Sequence, residues 1–167
     1  MIRFFARWRV FLGFMFAAVA LWLATPAATS LLIGSVVSIT GELIRLWAAG
    51  HLEKSKEVTR SGPYRFTRHP LYLGSSLIGI GFAIAASHVV VAVMVIAYLL
   101  LTLTAAMRSE EAHLREKFGD VYAAYAEKRA EPMRRRFSWN RVLRNREHHT
   151  IAGLLAGFAI LIAKLSI

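Results

Sequence analysis

The chain has 167 residues, room for one compact domain and too few for two. Apolar residues make up 56% of it and the mean hydropathy is +0.47, above the usual range of a soluble domain of this size. The net charge of +11 would suit nucleic acid, but the basic residues flank apolar runs, which favours a membrane surface and excludes a nucleic-acid partner; the lack of cysteine excludes disulfides, thiolate metal sites and thiol nucleophiles.

Charge comes in blocks. No Asp, Glu, Lys or Arg falls between Arg9 and Glu42, between Arg68 and Arg108, or between Glu147 and Lys164. A bilayer core about 30 Å thick takes about 20 apolar helical residues. The run from Val10 to Gly41 is too long for one span and carries Pro26 near its middle, which predicts a helical hairpin over 10–25 and 27–49 turning at Thr25-Pro26. Arg3, Arg7 and Arg9 ahead of it resemble the start of a signal peptide, yet the first stretch leads straight into the second without a cleavage boundary, so a retained span is expected. Leu71 to Met107 divides likewise at Ser87-His88, and a last span runs from about Thr150, with Lys164 near enough to its end to snorkel. The expected fold is all-α: an integral membrane bundle of about five transmembrane helices, forming one domain over 1–167.

The loops give an orientation. Arg3, Arg7 and Arg9 precede the first span, Lys54, Lys56, Arg60, Arg65 and Arg68 follow the second, and Arg108 through Arg146 follow the fourth, including Arg134-Arg135-Arg136. The two intervening turns carry no Lys or Arg. The positive-inside rule places all three basic segments, with the N-terminus, on the cytoplasmic side. Ser75, Gly79, Ala83 and Ser87 recur every four residues as a smooth ridge on the third span, and Gly153 and Gly157 form a small-xxx-small pattern in the last; both favour close packing within the chain.

Polar residues in or beside spans are the candidates for chemistry. Glu42 and Arg45 share one helix face near the end of the second span, either as a self-neutralising pair or with Arg45 holding an anionic group that Glu42 orients. In the segment from Ser61 to Gly74, Gly62-Pro63 forces a turn and Pro70 can open a helix, which leaves Arg68 and His69 at its positive end. Tyr64 and Tyr72 add aromatic faces that suit a purine or a cation, while basic residues with tyrosines equally suit a plain interfacial anchor. Arg108-Ser109-Glu110-Glu111 begins a further helical stretch with apolar Leu114, Phe118, Val121 or Tyr122, and Tyr125, broken near Gly119-Asp120. That stretch either lies on the membrane surface or folds over the mouth of the bundle and closes a pocket against Arg68 and His69. Phosphate-binding loops, zinc-protease pairs and nucleophile elbows are absent.

These residues carry a resemblance. Gly62-Pro63-Tyr64-Arg65 with Arg68-His69-Pro70-Leu71-Tyr72-Leu73-Gly74, then Glu110-Glu111, Leu114, Phe118-Gly119, Tyr122 and Tyr125, is similar to the isoprenylcysteine carboxyl methyltransferase and phospholipid methyltransferase superfamily. Gly41, Leu43-Ile44-Arg45 and Trp47-Ala48 match it upstream, so the likeness covers about residues 35–130. It implies an integral membrane enzyme that takes S-adenosylmethionine from the cytosol, under a C-terminal capping helix, and methylates an acceptor arriving from the bilayer. It also implies cofactor binding by Tyr64, Arg68, His69, Pro70, Tyr72, Gly74, Glu110, Glu111, Tyr122 and Tyr125. Arg45 would hold a carboxylate acceptor, or Glu42 or Glu111 would act as base for a lipid amine; no metal is implied.

The stretch Arg129-Ala130-Glu131-Pro132-Met133 departs from the family's hydrophobic-Pro pair, and the span over about 150–167 lies outside its core pattern. Both bear on the acceptor. The competing readings are a nicotinamide-dependent membrane reductase related to sterol reductases and a membrane subunit without turnover.

Overall fold

The structure is a computed structural model that describes residues 13, 15–131 and 133–166. Every regular element among them is helical. Residues 15–23 form α1, followed by α2 (Ala28–Ala49), a 3-10 turn (Gly62–Arg65), α3 (Pro70–Ala86), α4 (Val89–Ala126), α5 (Trp139–Arg144) and α6 (Glu147–Leu165). The expected first span begins outside the described residues, as do Arg3, Arg7, Arg9 and Pro132.

Three helices, α2, α4 and α6, are long and apolar enough to cross a membrane, which makes the chain a membrane protein. Five spans were expected. Of the other two, α3 is apolar but has 17 residues, the short end of the range for a span, and α1 is described over residues 15–23, too few to judge as a span. Helix α4 has 38 residues and runs unbroken as far as Phe118, about 45 Å at 1.5 Å per residue, half as long again as a bilayer core. Its apolar half through Met107 is the membrane-spanning part; the charged half from Arg108 stands outside.

Both predicted turns form, and they meet. Pro26 follows the end of α1, and Ser87 ends α3 in the left-handed conformation with φ 50°. The Thr25 N–H donates to the Ala86 carbonyl at 2.8 Å, and the Thr25 hydroxyl donates to the Ser87 carbonyl at 3.0 Å. Lys164 comes to the same end. Rather than snorkelling, it donates to the carbonyls of Leu21 at 3.0 Å, Trp22 at 2.8 Å and Ala24 at 2.6 Å, answering the unpaired acceptors at the end of α1. The charged loops gather at the opposite end, where Asn145 donates to the carbonyls of Ala49 and Leu52.

Helices α2 and α3 pack through reciprocal glycines. A Cβ on Gly41 would meet the Gly74 carbonyl at 2.6 Å and one on Gly74 would meet the Gly41 carbonyl at 2.6 Å; Gly34 and Gly81 oppose each other two turns away. Close backbone approach replaces the hydrophobic drive that lipid does not supply. The expected ridge also packs within the chain, on neighbours beside this seam. Gly79 faces Leu99 of α4, and Ser75 faces Arg45.

Candidate functional site

The Gly62–Arg65 turn and the start of α3 form one wall of the site. Gly62 adopts φ 56°, a left-handed conformation that favours glycine, and His51 lies where a Cβ would be. Pro63 and Tyr64 are buried. Pro70 is buried at the first position of α3, where its missing N–H costs nothing. His69, the residue before it, is held in a non-helical conformation at φ −128° and ψ 54°.

The charged half of α4 forms the other wall. Glu111 accepts from His69 Nε2 at 2.8 Å and forms a salt bridge with Arg68 Nη1 at 3.1 Å, which ties α4 to the start of α3. The helix then breaks at Gly119, whose φ of 46° and ψ of −120° no other residue type adopts readily. The break turns residues 120–126 back toward the 3-10 turn. Tyr122 becomes buried, and the Tyr125 hydroxyl donates to the Tyr64 carbonyl at 2.8 Å.

Between these walls lies a cavity of about 470 Å³, well inside the size range of small-molecule sites. Tyr64, Arg68, Tyr72, Glu110, Tyr122 and Tyr125 all line it, with Lys54 and His113 at its charged margin. His69 and Glu111 stand beside this cavity rather than in its lining. His69 and Tyr72 also line a second cleft of about 330 Å³ between α3 and α4, whose other walls include Leu73, Leu100, Leu103 and Met107. Tyr72 separates the polar cavity from the apolar cleft.

Electrostatics follow from these contacts. The hydrogen bond from His69, aided by Arg68 and Arg115, holds the Glu111 carboxyl below its usual range. Burial raises the phenols of Tyr64, Tyr122 and Tyr125, that of Tyr125 to about 12, so these three present neutral rings and hydroxyls at pH 7.

Arg45, Glu42 and Gly74 lie apart from the cavity. Arg45 is saturated: its Nε and Nη2 donate to Glu147 at 2.8–3.0 Å, Nη1 donates to the Ser75 hydroxyl at 2.5 Å, and Nη2 reaches Thr150 at 3.2 Å. This cluster joins α2, α3 and α6. Glu42 lies 3.9 Å from Arg45, and neither of its buried oxygens has a hydrogen-bond partner among the described residues. Gly74 faces α2, where a Cβ would meet Arg45 Cγ at 2.5 Å. Sequence reasoning missed Glu147. The signal was there: it is the last acidic residue of the chain, it opens the last apolar helix, and a buried arginine requires such a partner.

Among the described residues no three His, Asp or Glu side chains are grouped to hold a metal ion. The chain matches the family model described as phospholipid methyltransferase over residues 8–121. It is 31% identical over 131 residues to the cobalt-zinc-cadmium resistance protein CzcN of Cupriavidus metallidurans, covering 71% of this chain and 58% of that protein. It is 32% identical over 101 residues to the nickel-cobalt-cadmium resistance protein NccN of Alcaligenes xylosoxydans xylosoxydans, covering 58% of this chain and 45% of that protein. The chain thus spans about half the length of the curated relatives it matches. No solved structure matches it significantly.

Proposed function

The chain belongs to the phospholipid methyltransferase family, and from that premise we propose that it methylates a membrane-borne acceptor with S-adenosylmethionine at the cytoplasmic face of a bacterial inner membrane. The observation that carries this reading is the convergence of Tyr64, Arg68, Tyr72, Glu110, Tyr122 and Tyr125 on one cavity, with the His69–Glu111 contact beside it.

The donor set fits the cofactor. Neutral tyrosine faces suit a sulfonium and a purine. Glu110 offers an acceptor for the ammonium of the methionyl portion, and Arg68 and Lys54 offer charge for its carboxylate. When bound, the cofactor supplies an electrophilic methyl group and leaves as a neutral thioether. The protein's part is to hold the acceptor in line and to exclude water, and well-oriented reactants gain roughly 7–11 kcal/mol.

The apolar cleft between α3 and α4 supplies the route for the acceptor, which enters from the bilayer and meets the cavity at Tyr72. A carboxylate acceptor needs no base. For a lipid amine, Glu110 in the cavity wall and Glu111 beside it are the carboxylates that would take the proton. Arg45 and Glu42 set the helix geometry at a distance. The relatives' names tie those proteins to resistance to cobalt, zinc, nickel and cadmium, the setting in which this activity would operate.

Membrane vesicles containing the chain, incubated with methyl-labelled S-adenosylmethionine and then extracted, test this. Label should enter the lipid extract, and the Glu111→Ala and Tyr72→Ala variants should lose it. Folded protein that labels no membrane component would remove the proposal.

A further inference from the structure

The arginine run at 134–136 plays no part in the site described above. It packs on the charged end of α2, a helix of 22 residues whose length of about 33 Å matches a bilayer core. The Ser138 N–H donates to the Gly50 carbonyl at 3.1 Å, just past that end, and Phe137 packs on His51 with ring centroids 6.1 Å apart. The run is therefore held at the level where α2 leaves the membrane.

A recess of about 350 Å³ opens there, lined by Gly62, Arg65, Met133, Arg134, Arg135 and Arg136. Arg135 is its fixed post, bonded to Glu57 at 2.7 Å and to the His51 carbonyl at 3.2 Å. The other basic residues nearby are also engaged, Arg141 with the Gly50 carbonyl and Arg144 with Glu53. Arg65, Arg134 and Arg136 differ. All three side chains are exposed, and none has an acidic partner among the described residues. Three uncompensated guanidinium groups around one recess call for a multiply accepting anion, and the planar fork of arginine suits phosphate oxygens.

The surroundings favour a lipid as the source of that phosphate. Trp47, Phe66 and Trp139 are 43%, 77% and 65% exposed. Phe66 follows Arg65 and lies 6.4 Å from Trp47; Trp139 lies 5.0 Å from Phe137. Exposed aromatic rings beside basic side chains at a helix end are the arrangement of a membrane interface.

We propose that the recess between Gly62–Arg65 and Met133–Arg136 binds the phosphate head of an anionic phospholipid as a site separate from the cavity. Arg65 and Tyr64 are neighbours on one 3-10 turn, with the Arg65 recess and the Tyr64 cavity flanking it. A lipid held at Arg65 would steady that turn.

Native mass spectrometry of the full chain, released from detergent with equal amounts of dioleoyl phosphatidylglycerol and dioleoyl phosphatidylcholine, tests the proposal. The chain should retain phosphatidylglycerol selectively. The Arg134→Gln/Arg136→Gln variant should bind it about thirtyfold more weakly, the loss of two guanidinium contacts at the surface. Arg65→Gln, outside the run, should weaken it about fivefold. The charge-matched Lys117→Gln/Arg129→Gln variant should bind it as the unmodified chain does. Equal loss in both double variants would overturn the proposal, because net charge alone would then explain binding. Displacement of the lipid by an equal concentration of inorganic phosphate would overturn the lipid as occupant.

Discussion

Two charge clusters join helices in this molecule, and they use the same residue types differently. Around Arg45, one guanidinium meets Glu147, Ser75 and Thr150, and Glu147 is only 3% exposed. Around Glu111, one carboxylate meets His69 and Arg68 beside an open cavity. The first cluster has no hydrogen-bonding capacity to spare at its arginine. The second leaves Glu110 and four tyrosines facing free volume. A saturated cluster is a clamp; a cluster with open partners beside a cavity is a candidate site.

The largest effect comes from breaking the clamp. Glu147→Ala strands a buried guanidinium and should cost about 3–5 kcal/mol, read as a lower thermal midpoint in detergent. The double variant Arg45→Met/Glu147→Leu removes both charges and should recover most of that loss. Next is the glycine seam: Gly74→Ala pushes a methyl against Arg45 Cγ and the Gly41 carbonyl, and should cost about 1–3 kcal/mol. On the site's side, Tyr125→Phe removes one hydrogen bond to Tyr64 and should cost about 1 kcal/mol, with a larger loss in cofactor affinity than in stability.

The smallest effect is a pH dependence. The Glu111 carboxyl is depressed below its ordinary value of 4.5, chiefly by the His69 hydrogen bond. Its contribution to stability is therefore fully present above pH 4.5 and lost as pH falls through the lowered value. The difference in thermal midpoint between the unmodified chain and Glu111→Gln should be constant at neutral pH and shrink in acid. A difference that grew in acid would contradict the contact.

Much of the candidate site's local structure was legible because it is short-range and built from breakers. Pro26, Ser87-His88 and Gly119 interrupt apolar or helical stretches, and each marks a real turn or break. Tyr64 to Tyr72 is dense enough to stand out from its surroundings. The packing was less legible. In a charge-free helix every face is apolar, so no period marks the buried face, and the four-residue ridge of Ser75, Gly79 and Ala83 drew attention from Gly74 and Gly81. Arg45 finds its partner 102 residues away, a separation that no local pattern bridges, and Glu42, its neighbour by sequence, is left 3.9 Å off. Lys164 reads as a snorkelling residue until the end of α1 appears beside it.

The most direct test is calorimetric titration of S-adenosylmethionine into the detergent-purified chain, its Glu111→Gln variant and the Arg45→Met/Glu147→Leu variant. Saturable binding that weakens at least tenfold in Glu111→Gln and persists in the double variant is the predicted result. Binding lost with the Arg45–Glu147 pair and kept without the Glu111 carboxylate would place the cofactor at the other cluster and contradict the account.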